Sequence, residues 1–246
     1  MITVEGFHFT KDDFAGLAKQ ERALIFLAGH TLNQIGVWVR LLRFATNHAQ
    51  DGSLEERISG AQSQVVLRAL CGVLVEAWEW LKRPESNLLV GRTYLPLLPE
   101  ESQAAYAELK KHFGGSGLLH QLRNRFLYHY PTTDDIDAAF ANAPAEEDWA
   151  WYVSDEHTNS IYLSCELVVG RGTMRLADAA DHQAGLSRIA GEAVRVANGM
   201  TEFLTGLLAV AVQTNFPASP PRSVALRIED APDAGQFVLP FFAEGL

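Results

Sequence analysis

The sequence predicts a mainly α protein: an up-and-down helical bundle with an accessory β-hairpin and one long helix in the C-terminal half. Three observations carry that prediction. Apolar residues recur every three or four positions between Phe14 and Ala45 and again from Leu54 to Lys82, which is the period of a helix with one buried stripe. A third such run spans Ala180 to Val212. Strict alternation is confined to Ile161–Val169, where Ile161, Leu163, Cys165, Leu167 and Val169 interleave with Tyr162, Ser164, Glu166 and Val168.

The elements follow in order. Ile2 to Phe9 can add a strand, and Thr10 with Asp13 resembles an N-cap with an acidic first turn. The first helix then places Leu17, Leu24, Leu27, Ala28, Leu32, Ile35, Val39 and Leu42 on one face, and Asp51-Gly52-Ser53 marks the turn after it. The second helix ends before Pro84. Residues 85 to 99 read as an ordered connection, and Pro99-Glu100-Glu101 opens a third helix that runs to Phe113. Gly114 and Gly115 separate it from a fourth, Gly117 to about Tyr130, which stops at Pro131. After an acidic, alanine-rich loop with a helical turn near Ile136–Ala141, Trp149–Val153 and Ile161–Val169 form the expected hairpin across Asp155–Asn159. The fifth helix follows, then a proline-rich linker, an edge strand at Val224–Ile228, and an apolar segment from Phe237 that should dock. Three divisions result: 1–131 as the bundle, 132–214 as the hairpin plus long helix, and 215–246 as a C-terminal extension.

With 246 residues and 48% hydrophobic residues, the chain can bury a sizeable core. A net charge of -10 argues against a broad nucleic-acid-coating surface, so any RNA site must be local. Cys71 and Cys165 each sit in an apolar run, which predicts two buried thiols in a reducing compartment. The N-terminus has no basic region or apolar core of a signal peptide, and no uninterrupted apolar run reaches the roughly 18 residues of a membrane span. The expectation is a cytoplasmic protein with no membrane partner and no cofactor.

The chemistry concentrates in Leu118 to Pro131. On a wheel of about 100° per residue, Leu118, Leu119, Leu122 and Phe126 define the buried stripe. His129 falls inside that stripe, Arg123 on its edge, and Asn124 faces away. A histidine so placed is most simply a core residue bonded to a carbonyl. Alternatively it lines a cleft, where it can take a proton from a nucleophile and return one to a leaving group while arginine holds a phosphate. RNA cleavage through its own 2′-hydroxyl needs those functions and no metal.

Arg123-Asn124-Arg125-Phe126-Leu127-Tyr128-His129 resembles the signature of HEPN domains: arginine, a polar residue directly after it, then histidine at short spacing near the end of a late bundle helix. Tyr130-Pro131 is similar to a common continuation. The resemblance covers about Phe14 to Pro131 and implies a homodimer whose two motifs face one another in an RNA-cleaving cleft. It implies Arg123 and His129 as catalytic residues, Asn124 orienting them, and Arg125 and Tyr128 contacting RNA. It also implies a toxin-antitoxin or antiphage role, with an antitoxin as a further partner.

Other features have plainer readings. Arg43 and His48 repeat a permitted spacing at the end of the first helix, without the aromatics and proline. Trp78 belongs to an apolar stripe and reads as core, and Trp149 with Trp151 reads as cover for a sheet face. Gly170-Arg171-Gly172 lacks the lysine and helix start of a phosphate loop, and no histidine, cysteine or acid cluster has the spacing of a metal site. Two alternatives stand beside the ribonuclease: a non-catalytic HEPN-like binding or scaffold module, and a helical regulatory protein that binds a small anion at Arg123 and His129.

Overall fold

The computed structural model describes residues 1–48, 50–145, 149–216 and 222–244. Helices set the fold: 69% of the described residues are helical, accompanied among them by one small two-stranded antiparallel sheet. In order, the elements are β1 (Ile2–His8), α1 (Lys11–Ala15), α2 (Lys19–Thr46), α3 (Leu54–Leu81), α4 (Pro84–Leu89), α5 (Glu100–His112), α6 (Leu118–Leu122), α7 (Thr133–Phe140), α8 (Leu163–Ala177), α9 (His182–Asn215) and β2 (Arg222–Ile228). Two π-helical stretches, Val90–Tyr94 and Arg123–Leu127, follow α4 and α6.

The chain divides into two compact units. The first comprises residues 1–35, 76–114 and 197–233. In it β1 pairs antiparallel with β2, from Ile2 opposite Ile228 to His8 opposite Arg222. Thr10 caps α1: its hydroxyl accepts from the Asp13 N–H, while the Asp13 carboxylate accepts from the Thr10 N–H at 2.7 Å. Phe9, Phe14, Phe26 and Phe216 form an aromatic cluster with neighbouring ring centroids 4.8 to 5.9 Å apart. Deeper in the unit, the Trp80 indole donates to the Thr31 hydroxyl at 2.9 Å, so the polar atom of a buried tryptophan is satisfied. Ser102, 1% exposed, lies so close to Gly206 that a side chain there would collide with it; the glycine permits the approach of α5 to the end of α9.

The second unit comprises residues 36–75, 115–196 and 234–246. One of its core clusters joins Ile58 and Ala61 of α3 to Ile161 and Leu163, with Leu54, Tyr152, Leu167 and Phe241 around them. The segment after residue 233 docks within this unit, as its apolar character predicts: the Leu239 N–H donates to the Phe44 carbonyl at 3.1 Å, and the Phe44 and Phe237 rings lie 5.2 Å apart.

The mainly α class and its small antiparallel sheet agree with the sequence, but the sheet is built from other residues than the hairpin. Only one antiparallel bridge, Tyr152 to Ile161, lies between the expected hairpin strands, and Leu163–Ala177 is helical. The buried positions Leu163, Val168, Gly172, Thr173 and Ala177 follow a helical period, which outweighs the alternation seen over the first few residues. Trp149 and Trp151 therefore cover no sheet; the Trp151 indole donates to the Ser164 hydroxyl at 2.7 Å, and Trp149 packs edge-on against Phe140.

By length and composition α3 could cross a membrane, yet 61% of its most apolar window is buried inside the fold, as befits a core helix. Cys71 is buried as expected, whereas Cys165 is exposed. The alternation that placed Cys165 on an inner strand face does not apply to a helix, where it falls outside the buried stripe.

Candidate functional site

Arg123, Asn124, Arg125, Tyr128 and His129 all belong to the second unit, where α6 ceases to be an α-helix. Leu118, Leu119 and Leu122 bury the first turns, and from Arg123 onward the backbone closes wider turns: the Tyr128 N–H donates to the Arg123 carbonyl at 3.1 Å, five residues back. Phe126 stays in the core, against Gly172 of α8, where an added Cβ would come within 2.8 Å of its ring. The Tyr128 ring lies over Gly72 of α3 at 3.2 Å from the position a Cβ would take. Two glycines on two helices thus form the seats for the two aromatics of the motif.

His129 is exposed and lies beyond the helix, in a bend with Tyr128. This corrects the wheel, which put it inside the buried stripe. The wheel assumes one helical period through Tyr130, whereas the π turn changes the period at Arg123 and the helical stretch ends at Leu127. Asn124 is exposed and Arg123 partly buried, as their wheel positions predict.

The structure brings Arg123, Asn124 and Tyr128 together. The Arg123 guanidinium donates to the Asn124 side-chain oxygen at 2.9 Å and lies 5.3 Å from the centre of the Tyr128 ring, a cation–π distance. Arg125 forms a separate pair with Asp135 of α7. Asp135 also accepts from the Thr132 N–H at 3.1 Å and the Thr132 hydroxyl at 2.8 Å, completing the cap of α7. Burial pushes the Asp135 carboxyl up, but the Thr132 hydrogen bonds and Arg125 together outweigh it and hold the group below its ordinary range. Asp135 was missed as a partner for the motif, although the Thr132-x-x-Asp135 spacing marks a helix start in the sequence. Tyr130 is 98% exposed and Tyr128 56%, so two aromatic faces flank His129 at the surface.

In the same unit, α7 and α8 line an open groove of about 410 Å³ in which Ile136, Phe140, Trp149, Cys165 and Val168 make an apolar wall. Its signal in the sequence, a lone cysteine among aliphatic residues, was read as a strand core. Among the described residues no group of three or more histidine, cysteine or acidic side chains is arranged to hold a metal ion. Comparison of the chain with protein-family models, curated proteins and solved structures returns no match.

Proposed function

We propose that the chain is a HEPN-like endoribonuclease of the cytoplasm, acting as a homodimer on single-stranded RNA in a toxin-antitoxin or antiphage setting. The observation that carries the reading is the exposure of His129 next to Tyr128 and Tyr130, at the end of a π turn that begins with Arg123. Irregular π turns are frequent at functional sites because they present side chains that a regular helix would bury. Exposed aromatic faces can stack unpaired bases, which suits an acidic protein whose RNA contact must be local.

In this mechanism His129 removes the proton of a 2′-hydroxyl, whose oxygen forms a bond to the adjacent phosphorus as the bond to the 5′-oxygen breaks. The products are a 2′,3′-cyclic phosphate and a 5′-hydroxyl, the latter receiving a proton from the second protomer's histidine. Arg123 stabilises the phosphorane charge, and Asn124 holds the guanidinium in place through the hydrogen bond between their side chains. Arg125, paired with Asp135 of α7, ties the end of the motif to the start of that helix.

A second reading, a non-catalytic binding module of the same kind, is favoured by one observation: both arginines of the motif already have intramolecular contacts. A cleavage assay on single-stranded RNA in chelator separates the two. Wild-type cutting that is lost in His129→Ala and in Arg123→Ala, with unchanged circular dichroism, supports the enzyme. Cutting that persists in either variant refutes the assignment, and binding without cutting supports the module.

A further inference from the structure

We infer that the second unit carries a docking surface for a basic, amphipathic helix of a protein partner. The surface includes the open groove between α7 and α8, where Asp137 stands among the apolar lining residues. A second open groove of about 390 Å³, lined by Ala61, Val65, Ile161, Tyr162 and Phe241, shares Cys165 with the first. Two aromatic pairs belong to the same surface. Phe140 and Trp149 meet edge to face at 5.4 Å, as do Trp151 and Tyr162, and the Trp151 indole is tied to Ser164 of the first groove.

These four rings are 40% to 62% exposed. A single exposed aromatic side chain needs no explanation, but four of them around open apolar grooves form the kind of patch that marks a protein–protein contact. Tryptophan and tyrosine carry a large share of the energy of such contacts. An extended peptide would need a strand edge, and here the described residues of the unit offer the single Tyr152–Ile161 bridge. Two neighbouring helices present a furrow that suits a third helix, with its apolar stripe turned inward.

Charge selects the occupant. Between Pro131 and Gly170 the chain holds nine acidic residues and no lysine or arginine, in a protein whose whole net charge is -10. Asp134 and Asp137 are exposed on α7, and Asp155 and Glu156 are exposed in the loop closed by the Tyr152–Ile161 bridge. From outside the stretch, Arg125 pairs with Asp135, Arg68 pairs with Glu166, and Arg175 donates to the Ala138 carbonyl at 2.7 Å. The surface stays negative after these contacts, so it repels a nucleic-acid backbone and a second copy of itself. It attracts an apolar stripe flanked by lysine or arginine.

The test titrates full-length protein into a fluorescein-labelled peptide of leucine and lysine whose leucines fall on one helical face. The controls are a peptide of the same composition in scrambled order and a leucine–glutamate counterpart. Fluorescence anisotropy should show saturable binding of the ordered peptide, at least about tenfold weaker binding of the scrambled one, and none of the acidic one. Saturating peptide should also slow alkylation of the exposed Cys165 by N-ethylmaleimide at least about fivefold, which locates it on this surface, whereas a single-stranded oligouridylate should leave the rate unchanged. Phe140→Ala/Trp151→Ala should weaken binding at least about tenfold. Asp134→Asn/Asp137→Asn keeps the apolar walls and should weaken it about threefold, which covers the case in which loss of the rings disturbs the fold. No saturable binding, equal binding of the scrambled peptide, an unprotected Cys165, protection by the oligouridylate, or unchanged affinity in either double variant would overturn the surface. None of these outcomes bears on RNA cleavage.

Discussion

Removing the carboxylate of Glu166 tests how the second unit is held together. Arg68 projects from α3 with its side chain 9% exposed, and one nitrogen of its guanidinium donates to Glu166 of α8 at 2.6 Å. Its other terminal nitrogen, Nη1, is buried without a partner among the described residues. Glu166→Ala would therefore leave a buried guanidinium with no counter-charge. Breaking a fully buried pair in this way costs about 3–5 kcal/mol. Glu166 is 33% exposed, so water can replace part of the lost contact, and the expected loss is about 2–3 kcal/mol. Urea unfolding followed by far-ultraviolet circular dichroism measures it as a lower midpoint at unchanged slope. Arg68→Met removes the charge that needs compensation while filling a similar volume, so Glu166→Ala made in that background should cost less than half as much. A loss within about 0.5 kcal/mol of zero for Glu166→Ala, or an equal loss in both backgrounds, would refute the idea that the pair neutralises a buried charge.

Other outcomes follow from the same geometry. Gly172→Ala brings a methyl group against the Phe126 ring and should cost about 1–3 kcal/mol in urea unfolding. Of the two thiols, Cys165 should react with a thiol reagent at pH 8 in the native protein. Cys71 should react only after unfolding, because burial and then the nearby Glu192 charge push its thiol up to about 12. The carboxyl of Asp135 is held below its ordinary value in the folded state, so the stability it contributes is present above the ordinary carboxylate range and is lost as the pH falls through the folded value. Asp135→Asn should accordingly cost roughly 1 kcal/mol near neutrality, and wild type and variant should converge in acid; a gap that persists there contradicts the assignment.

The long helices were legible because their apolar stripes persist over many turns: α3 and α5 begin and end within a residue of where their caps, prolines and glycines place them. Helix α8 was not legible, and the reason is specific. Gly170 and Gly172 look like loop residues by intrinsic propensity, yet Gly172 faces the Phe126 ring so closely that a side chain there would collide with it. Tertiary packing selects glycine there in spite of its helix cost, a requirement that no local window contains. The site divided in the same way. The helical wheel marked Arg123 and His129 and the resemblance to HEPN domains added Asn124, but the exposure of His129 depends on the turn beginning at Arg123 no longer repeating every 3.6 residues. Arg125 was read as a nucleic-acid contact, and its pairing with Asp135 depends on where α7 sits, which the intervening Pro131 and Thr132 decide.

The ladder between β1 and β2 imposes a schedule on synthesis. β1 leaves the ribosome before α1, and its partner leaves only after α9. At about 5–20 residues per second, β1 waits on the order of ten seconds to a minute with its backbone donors unmatched and Ile2, Val4 and Phe7 facing water. Such an edge pairs readily with other extended chains. Helices α1 to α9 can close early through local contacts, so the pairing of β1 with β2 comes after them.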